Sequence, residues 1–395
     1  MKILHIINYF QPQLGYHEYF IAKEQVKLGH DVFLVTSNYY FPMPNYDKSF
    51  KKILGPRKFA PGNKIIDGVK VFCMPIYYEQ PGKRVLIKGL KTKLFEINPD
   101  LVIAHGEYTF YAFQSYLWKK KLNYKLIIDS HSHPHDTDDK NKVELNFFHR
   151  FKSFMFFFVY RNFLWSRSDI YWVSTSSWNL NFFANRCNIP LEKIKLIAHG
   201  SEIERFYPDS KIKKLFREKY NFGNDEIIII YTGKISEKKN VHKIIISTEH
   251  LQKKYKIRYL FVGTISDSFR SKYDDLLKRN SDFIFHINGV KNSELAPYYQ
   301  MSDIGCWPSE SSMSSIDALA SGLPIIVSNK LTDRLKYDNG IGIQDGNLSE
   351  LKKSLTKLIS EESLRIKMGK KGRELALDEL NWKDVSKKFI DIIDE

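Results

Sequence analysis

Short apolar segments of strand length alternate with longer helical segments along this chain, and that alternation constrains the fold more than any other feature. Parallel strands joined by helices have both faces covered, so their strands are apolar throughout rather than alternating. The pattern therefore predicts an α/β fold with a parallel sheet between two helical layers. In the first half of the sequence the strand-like segments are KILHII at 2–7, VFLVTS at 32–37, VKVFCM at 69–74, LVIAH at 101–105, KLIID at 125–129, DIYWVS at 169–174 and IKLIAH at 194–199.

The same alternation starts again after a polar stretch at 208–224, which we interpret as a linker. A chain of 395 residues is long enough for two domains. We predict two doubly wound domains, an N-terminal one over 1–205 and a C-terminal one over 206–377. The strand-like segments of the second series are IIIIYTG at 227–233, RYLFVG at 258–263, DFIFHI at 282–287, DIGCW at 303–307 and PIIVS at 324–328.

Basic residues exceed acidic ones by a wide margin, 61 against 45, which gives a formal net charge of +16. A surplus of this size indicates attraction to an anionic partner. Nucleic acid, an anionic membrane surface and a phosphorylated small molecule are the three candidates. The sequence contains neither a base-reading helix nor an RNA-binding aromatic motif, so we exclude nucleic acid.

The lack of a signal-peptide or membrane-span pattern and the spacing of the cysteines both favour the cytoplasm. Cys73, Cys187 and Cys306 are widely separated and form neither a metal motif nor a disulfide framework. The N-terminal apolar run alternates like a strand and is shorter than the apolar centre of a signal peptide. No segment approaches the roughly 20 apolar residues of a membrane span.

A serine-rich loop at 307–328 lies between two predicted strands and leads into a short helix over 314–321. Free backbone N–H groups at a helix start bind anions, and the helix dipole adds to the attraction. Glu310 and Asp317 flank this start, and a carboxylate can accept two hydrogen bonds from a diol. A capped helix with an acidic first turn has the same pattern. The hydroxyls around the start belong to Ser311, Ser312, Ser314 and Ser315.

Two more loops follow predicted strands. Lys234 and Lys239 lie in TGKISEKKN before a helix, where two lysines suit a diphosphate, although most lysine clusters are solvated surface. Gly15 in the first loop permits close approach of the backbone to a ligand, or belongs to an ordinary turn. The loop is not GxGxxG, so a nicotinamide dinucleotide site is not supported.

Histidines follow two of the strands in the first series. IIDSHSHPHD at 127–136 contains three histidines and a terminal acid, a composition that also occurs in metal sites. We favour a contact between His131 and a bound sugar, because ligands bind at the carboxyl ends of such strands. His105, in AHGEYTF, is assigned to the acceptor side, with a structural histidine as the alternative.

An aromatic segment at 146–165, NFFHRFKSFMFFFVYRNFLW, is apolar around nearly the whole circumference of a helix. A core helix packed on the first sheet has this composition. So does an interfacial helix on anionic lipid, because its basic residues would face the headgroups. Both interpretations of the 147–165 helix stay open from the sequence.

These motifs occur together and in order, and almost the whole chain resembles the retaining GT-B glycosyltransferases of family four. MKILHIINYFQP with LGHDVFLVTSN is similar to the family's opening strand, glycine loop and second strand. AHGSEIERFYP at 198–208 and TGKISEKKN resemble its next two motifs. PSESSMSSIDALASGLPIIVS is similar to its acidic motif with the following Ala-x-Gly-x-Pro. The segment KMGKKGRELALDELNWKDVSKKFIDII resembles its final helices.

The resemblance implies two Rossmann-like domains facing a cleft, with a helix from about 378–395 returning to the first. The first domain would bind a glycan or lipid-linked acceptor and the second a nucleotide sugar. Lys234 and Lys239 would neutralise the donor diphosphate, Asp317 would hold the ribose, and Glu310 and His131 would contact the donor sugar. The other implied donor contacts are Gly15, Gly289, Val290, Ser312, Met313 and Ser314, with Tyr16 and His105 on the acceptor side.

Four departures from the family pattern bear on the donor. Lys234 replaces an arginine, and lysine lacks the bidentate fork that arginine presents to phosphate. Asp317 replaces a glutamate, and Glu310 lies one residue closer to it than in the family, so that Ser309 has the family's position. Gly15–Tyr16 stands for the family's glycine pair.

The resemblance implies transfer with retention. We expect the transfer to be metal-independent, because no Asp-x-Asp metal motif directly follows a predicted strand. No cofactor is expected besides the nucleotide sugar. The expected pathway is bacterial surface polysaccharide or lipopolysaccharide synthesis, at the inner face of the cytoplasmic membrane. Two alternatives remain: a sugar-nucleotide 2-epimerase on the same architecture, and a non-catalytic subunit of a glycan-assembly complex.

Overall fold

The computed structural model describes residues 1–43, 46–82, 84–131, 155, 158–309 and 312–394. The chain divides into two compact units. Unit 1 comprises Met1–Ala198 and Val385–Glu395, and unit 2 comprises His199–Asp384.

Unit 1 is built on a sheet whose described strands run in the order β10-β9-β8-β7-β1-β2-β4-β3. All its pairs are parallel except β3 with β4. A separate hairpin joins β5 and β6. The strands are β1 (Lys2–Ile6), β2 (Asp31–Ser37), β3 (Gly62–Ile66), β4 (Val69–Met74), β5 (Ile76–Gln80), β6 (Arg84–Ile87), β7 (Leu101–His105), β8 (Lys125–Ser130), β9 (Tyr171–Ser174) and β10 (Ile194–Leu196).

Successive side chains of a strand point to opposite faces of the sheet. Apolar clusters of unit 1 pack against these strands. Leu4 and Ile6 pack in one apolar cluster, and Val32 and Leu34 pack in another. The last residues of the chain also pack in unit 1, where Ser386 donates to the carbonyl of Ile21 at 3.2 Å. The α-helices are His17–Lys27, Tyr46–Ser49, Lys51–Leu54, Leu90–Ile97, Phe110–Leu122 and Ser177–Cys187.

Unit 2 contains a parallel sheet in the order β13-β12-β11-β14-β15-β16. This is the doubly wound order of a dinucleotide-binding fold, and its direction of winding reverses between β11 and β14. Ligands bind outside the carboxyl ends of the strands at such a reversal. The strands are β11 (Ile227–Thr232), β12 (Ile257–Val262), β13 (Ile284–Ile287), β14 (Ile304–Cys306), β15 (Ile325–Ser328) and β16 (Gly340–Ile343).

The polar stretch at 208–224 does not form the linker that we predicted. Ser210–Lys219 is a helix of unit 2, and Asp209 caps its start by accepting from two backbone N–H groups. Arg217 is only 2% exposed and pairs with Asp303 at 2.5 Å. The charged residues therefore fix the helix to unit 2. The other helices are Val241–Thr248, Asp267–Arg279, Ala296–Gln300, Ser314–Ala320, Leu348–Ser360 and Glu362–Asp378, with Trp382–Asp391 ending in unit 1.

The aromatic segment is described only in part, at 155 and 158–165, and the rest of the predicted 147–165 helix lies outside the described residues. Tyr160, Leu164 and Trp165 are buried in the core of unit 1. Phe158 and Phe163 are each 51% exposed. The described part thus has one side in the core and another exposed, and the lipid-facing interpretation stays a prediction. Within the described residues, no helix is long and apolar enough to span a bilayer.

Candidate functional site

The reversal point of the unit 2 sheet brings together the two lysines and the serine-rich loop. After β11, Gly233 and Lys234 lead to a 3-10 turn at Glu237–Lys239. After β14 comes Ser309, whose hydroxyl donates to the carbonyl of Lys238 at 2.7 Å and accepts from the Asn240 amide at 3.1 Å. Two loops that are about 70 residues apart in sequence are therefore joined by hydrogen bonds.

Hydrogen bonds from buried aromatic residues hold the same two strand ends. Trp307 donates from its indole to the carbonyl of Thr232 at 3.0 Å, and Tyr231 donates to the carbonyl of Lys234 at 2.9 Å. The Thr232 hydroxyl lies 2.6 Å from that of Tyr299, which also bonds the Ser314 hydroxyl. Lys234 is exposed and Lys239 is half-buried. The loop that carries both lysines is therefore at the surface, and the hydrogen bonds of Tyr231 and Trp307 hold its strand end.

The helix Ser314–Ala320 follows the serine-rich loop after β14. Met313 occupies the position before its first residue, and no side chain caps the start. Arg334 is fully buried and donates to the carbonyl of Ser312 and to the Ser315 hydroxyl. A guanidinium thus lies beside the helix start, with the Asp333 carboxylate 3.4 Å from its Nε.

Asp317 lies one turn inside this helix. It accepts a 2.6 Å hydrogen bond from the hydroxyl of Ser201. Burial raises the pKa of the Asp317 carboxyl to about 7, even though the Ser201 hydrogen bond and the nearby Arg205 act in the opposite direction. The carboxyl group therefore changes its charge near neutral pH.

The remaining unit 2 residues of the predicted site differ in what the structure describes. Glu310 and Ser311 lie outside the described residues. Gly289 is exposed and Val290 is half-buried, and both follow β13 at the same edge of the sheet. Ser312, Met313 and Ser314 are half-buried at the helix start.

In unit 1 the predicted residues meet at the carboxyl ends of β1, β7 and β8. His105 and Asp129 are paired in register, and the Nδ1 of His105 lies 2.7 Å from Asp129 Oδ2. His131 Nε2 lies 3.1 Å from Asp129 Oδ1. Gly15, at φ +69°, closes the turn before the helix that carries His17. Tyr16 is 36% exposed at the start of that helix.

His105 does not suit the acceptor-side role that we predicted. Its side chain is 0% exposed, and its two ring nitrogens lie against Asp129 and His5. A ring enclosed in this way orients Asp129 rather than contacting an acceptor. The burial of this ring favours the structural alternative for His105.

Four residues of this unit 1 cluster were missed by the sequence analysis. His17 Nε2 lies 3.2 Å from Asp129 Oδ2, and its Nδ1 lies 3.3 Å from Glu18. His5 Nδ1 lies 3.0 Å from His105, and its Nε2 lies 2.7 Å from Gln25 Oε1. The only signal for His5 was a polar residue within an apolar strand.

The pKa values in the cluster follow from the burial of two carboxylates, Asp129 and Glu18, among imidazole rings. Burial opposes charge on Asp129, yet His105 and His131 hold its pKa well below the usual range. Burial lowers the pKa of His5 to about 3. For His17 burial also acts to lower the pKa, but hydrogen bonds to Asp129 and Glu18 outweigh it and raise the pKa to about 9.

Comparison with known proteins assigns both units. Residues 15–205 match the model of glycosyltransferase family 4, and residues 212–375 match that of glycosyl transferases group 1. The chain is 25% identical over 237 residues to the capsular polysaccharide biosynthesis glycosyltransferase CapM of Staphylococcus aureus, covering 57% of this chain and 60% of CapM. It is 28% identical over 170 residues to alpha-monoglucosyldiacylglycerol synthase of Acholeplasma laidlawii, covering 40% of this chain and 42% of the synthase.

These alignments span less than two thirds of either relative. The fold match is more extensive. The structure of Anabaena Alr3699/HepE in complex with UDP superposes with a TM-score of 0.71 at 12% identity and covers 100% of both chains. The predicted GT-B fold is thereby confirmed.

Proposed function

The chain belongs to the GT-B glycosyltransferases of family four, and from this premise we propose that it transfers a sugar from a nucleotide sugar to a hydroxyl group of a glycan or lipid-linked acceptor, with retention. The observation that supports the proposal is that the loops after β11 and β14, which carry the two lysines and lead to the Ser314–Ala320 helix, are joined by hydrogen bonds at the reversal point of the unit 2 sheet. Unit 2 would bind the donor and unit 1 the acceptor.

The chemistry of this site matches the demands of glycosyl transfer. The anomeric C–O bond breaks as negative charge builds on the departing diphosphate. Donors fixed in position stabilise such charge without reorganising during the reaction. Lys234, Lys239 and backbone N–H groups at 312–314 would supply this stabilisation, so that the leaving group needs no metal. The acceptor hydroxyl would attack from the face that the diphosphate leaves.

Relatives support the class of donor and product. HepE has been solved with UDP and with UDP-glucose, so a UDP-sugar is the first donor to test. Capsular polysaccharide and a glucosylated diacylglycerol are named for the two sequence relatives. Both lead us to propose a surface polysaccharide, lipopolysaccharide or glycolipid as the product, made at the inner face of the cytoplasmic membrane.

A panel of UDP-, GDP- and ADP-sugars tests the proposed function directly. Only a nucleotide sugar that binds the folded state raises the melting temperature. With the binding donor, an enzyme of this class releases nucleoside diphosphate and glycosylates the acceptor. A 2-epimerase would release free nucleotide and sugar with no acceptor requirement. Absence of a melting shift with every donor would contradict the proposal.

Donor affinity is expected to depend on pH through Asp317. A ribose diol donates hydrogen bonds, so it prefers the ionised carboxylate. With a pKa of about 7, the ionised fraction rises from roughly one tenth at pH 6 to roughly nine tenths at pH 8. We expect the donor Kd, measured by calorimetry, to fall by up to about ten-fold over that interval. Asp317→Asn should remove this dependence, and an unchanged pH profile in that variant would contradict the role.

Peripheral membrane binding is the second part of the proposal. Phe163 is 51% exposed next to the exposed Arg161, and basic residues gain roughly 1 kcal/mol each near anionic lipid. We expect the protein to float with phosphatidylglycerol vesicles, and Phe163→Ser combined with Arg161→Ser to float less. Leu215→Ser is the control, since Leu215 is a 56% exposed apolar residue of unit 2. Equal flotation of the double variant and the control would contradict this surface.

A further inference from the structure

The buried cluster at the strand ends of unit 1 contains more chemistry than the proposed transfer uses. One ligand atom from each of His17, His105, Asp129 and His131 lies within 4.8 Å of the other three. Individual distances from Asp129 oxygens to the imidazole nitrogens are 2.7, 3.1 and 3.2 Å. Two ligands of a tetrahedral zinc ion, each at about 2.0 Å, lie about 3.3 Å apart. The four groups are therefore close to metal-binding separation already.

The partners on the far side of the rings, His5 for His105 and Glu18 for His17, determine which ring nitrogen faces Asp129. An amide oxygen only accepts, so His5 donates from Nε2 to Gln25 and accepts at Nδ1. His105 then donates from Nε2 to His5. In a neutral His105 ring this leaves the lone pair of Nδ1 directed at Asp129. At 2.7 Å this pair is joined by a proton when no ion is bound, and a metal ion would take the place of that proton.

His17 repeats the arrangement. The Glu18 carboxylate only accepts, so the Nδ1–H of His17 donates to it, and a neutral ring presents the Nε2 lone pair to Asp129. Histidines that bind metals have this outer partner, a carboxylate or another acceptor on the second nitrogen. His105 and His17, two of the three histidines in the set, thus have both the inner and the outer contacts of metal ligands.

Charge balance gives an independent reason. Asp129 and Glu18 are 0% and 4% exposed, and buried carboxylates are costly unless they are compensated. With every imidazole acting as a neutral metal ligand, the two carboxylates would contribute two negative charges. One divalent cation would neutralise both, with Asp129 as ligand and Glu18 behind His17.

We propose that His17, His105, Asp129 and His131 bind one divalent transition-metal ion of the zinc class. Three imidazoles and one carboxylate form the N and O ligand set that such ions prefer, and four protein ligands are typical of a structural site. The ion would join the ends of β7 and β8 to the first helix. This inference goes beyond the proposed transfer, and it departs from the expectation that the protein binds no metal. A ring bound through Nε2 keeps Nδ1 for an outer partner, so His131 can combine this role with a sugar contact.

The test uses the full-length protein without a histidine tag, stripped by chelator and dialysed against zinc or cobalt alone. We expect one metal per chain, a higher melting temperature with zinc, and the visible absorption of tetrahedral cobalt. X-ray absorption of the zinc-loaded protein should show nitrogen and oxygen ligands at about 2.0 Å with imidazole scattering. Sulfur ligands, or no stoichiometric binding by folded wild-type protein, would overturn the proposal.

Variants separate a metal site from a hydrogen-bonded cluster. His131→Ala removes the ligand whose side chain is the most exposed, at 34%, and should weaken zinc binding by at least about ten-fold. Glu18→Gln should weaken it by about ten-fold through His17. His250→Ala, at an exposed position in unit 2, is the control and should bind as wild type. If His131→Ala and Glu18→Gln also bind as wild type, the site is refuted. Because donor binding by unit 2 is measured separately, this failure would leave the proposed transfer untouched.

Discussion

Lys239→Ala is expected to slow donor turnover about 100-fold at saturating donor, which corresponds to about 3 kcal/mol in the barrier. Negative charge on the leaving diphosphate grows as the anomeric bond breaks, so a positive group there acts more strongly on the transition state than on the bound donor. Release of nucleoside diphosphate, with kcat and KM measured separately, is the readout. The larger loss should fall on kcat.

Lys238→Ala is the matched control. Lys238 belongs to the same 3-10 turn but is exposed, and its contact with Ser309 is made by its backbone carbonyl, which alanine retains. We expect this variant to turn over near the wild-type rate. Lys239→Arg keeps the charge and should recover part of the rate. Full turnover by Lys239→Ala would show that the diphosphate is bound elsewhere.

Strands of the two sheets were predictable because each is an apolar run between turn residues. The predicted 227–233 and 258–263 became β11 and β12 to within a residue. Two of the strands that were missed, β3 and β16, lack that signature. In β3 the side chains are nearly all exposed, and in β16, GIGI, two of the four residues are glycines. Their pairing depends on neighbouring strands rather than on their own composition.

The candidate site was less predictable, because its residues come together only through sheet order. Lys234 and Asp317 could be proposed since they lie in motifs with strong local context. Arg334 could not, because nothing in TDRL distinguishes an arginine that is fully buried beside a helix start from one in solvent. His5 and His17 were missed for the same reason, being about 100 residues distant from the histidine and aspartate that they contact.

Gly233 and Gly263 hold the strand ends from which the loop with Lys234 and Lys239, here called the lysine loop, begins. Gly233 donates to the carbonyl of Val262 at 2.9 Å, and Gly263 donates to that of Ile287 at 2.9 Å. At Gly263, φ is +154° and an added Cβ would lie 1.8 Å from the carbonyl oxygen of Gly233. No rotamer change relieves a contact between a Cβ and a backbone oxygen, so the strand ends would have to separate.

Gly263→Ala is therefore expected to destabilise the protein by about 3 kcal/mol or more, as measured by urea unfolding. Because Gly233 directly precedes Lys234, separation of the strand ends should also weaken donor binding in the molecules that stay folded. Gly289→Ala is the control. It follows the next strand, and its Cβ would meet only the Thr264 methyl group at 3.1 Å, so we expect a loss below about 1 kcal/mol. Wild-type stability and donor affinity in Gly263→Ala would mean that β11 and β12 do not approach as described, and that the lysine loop has another support.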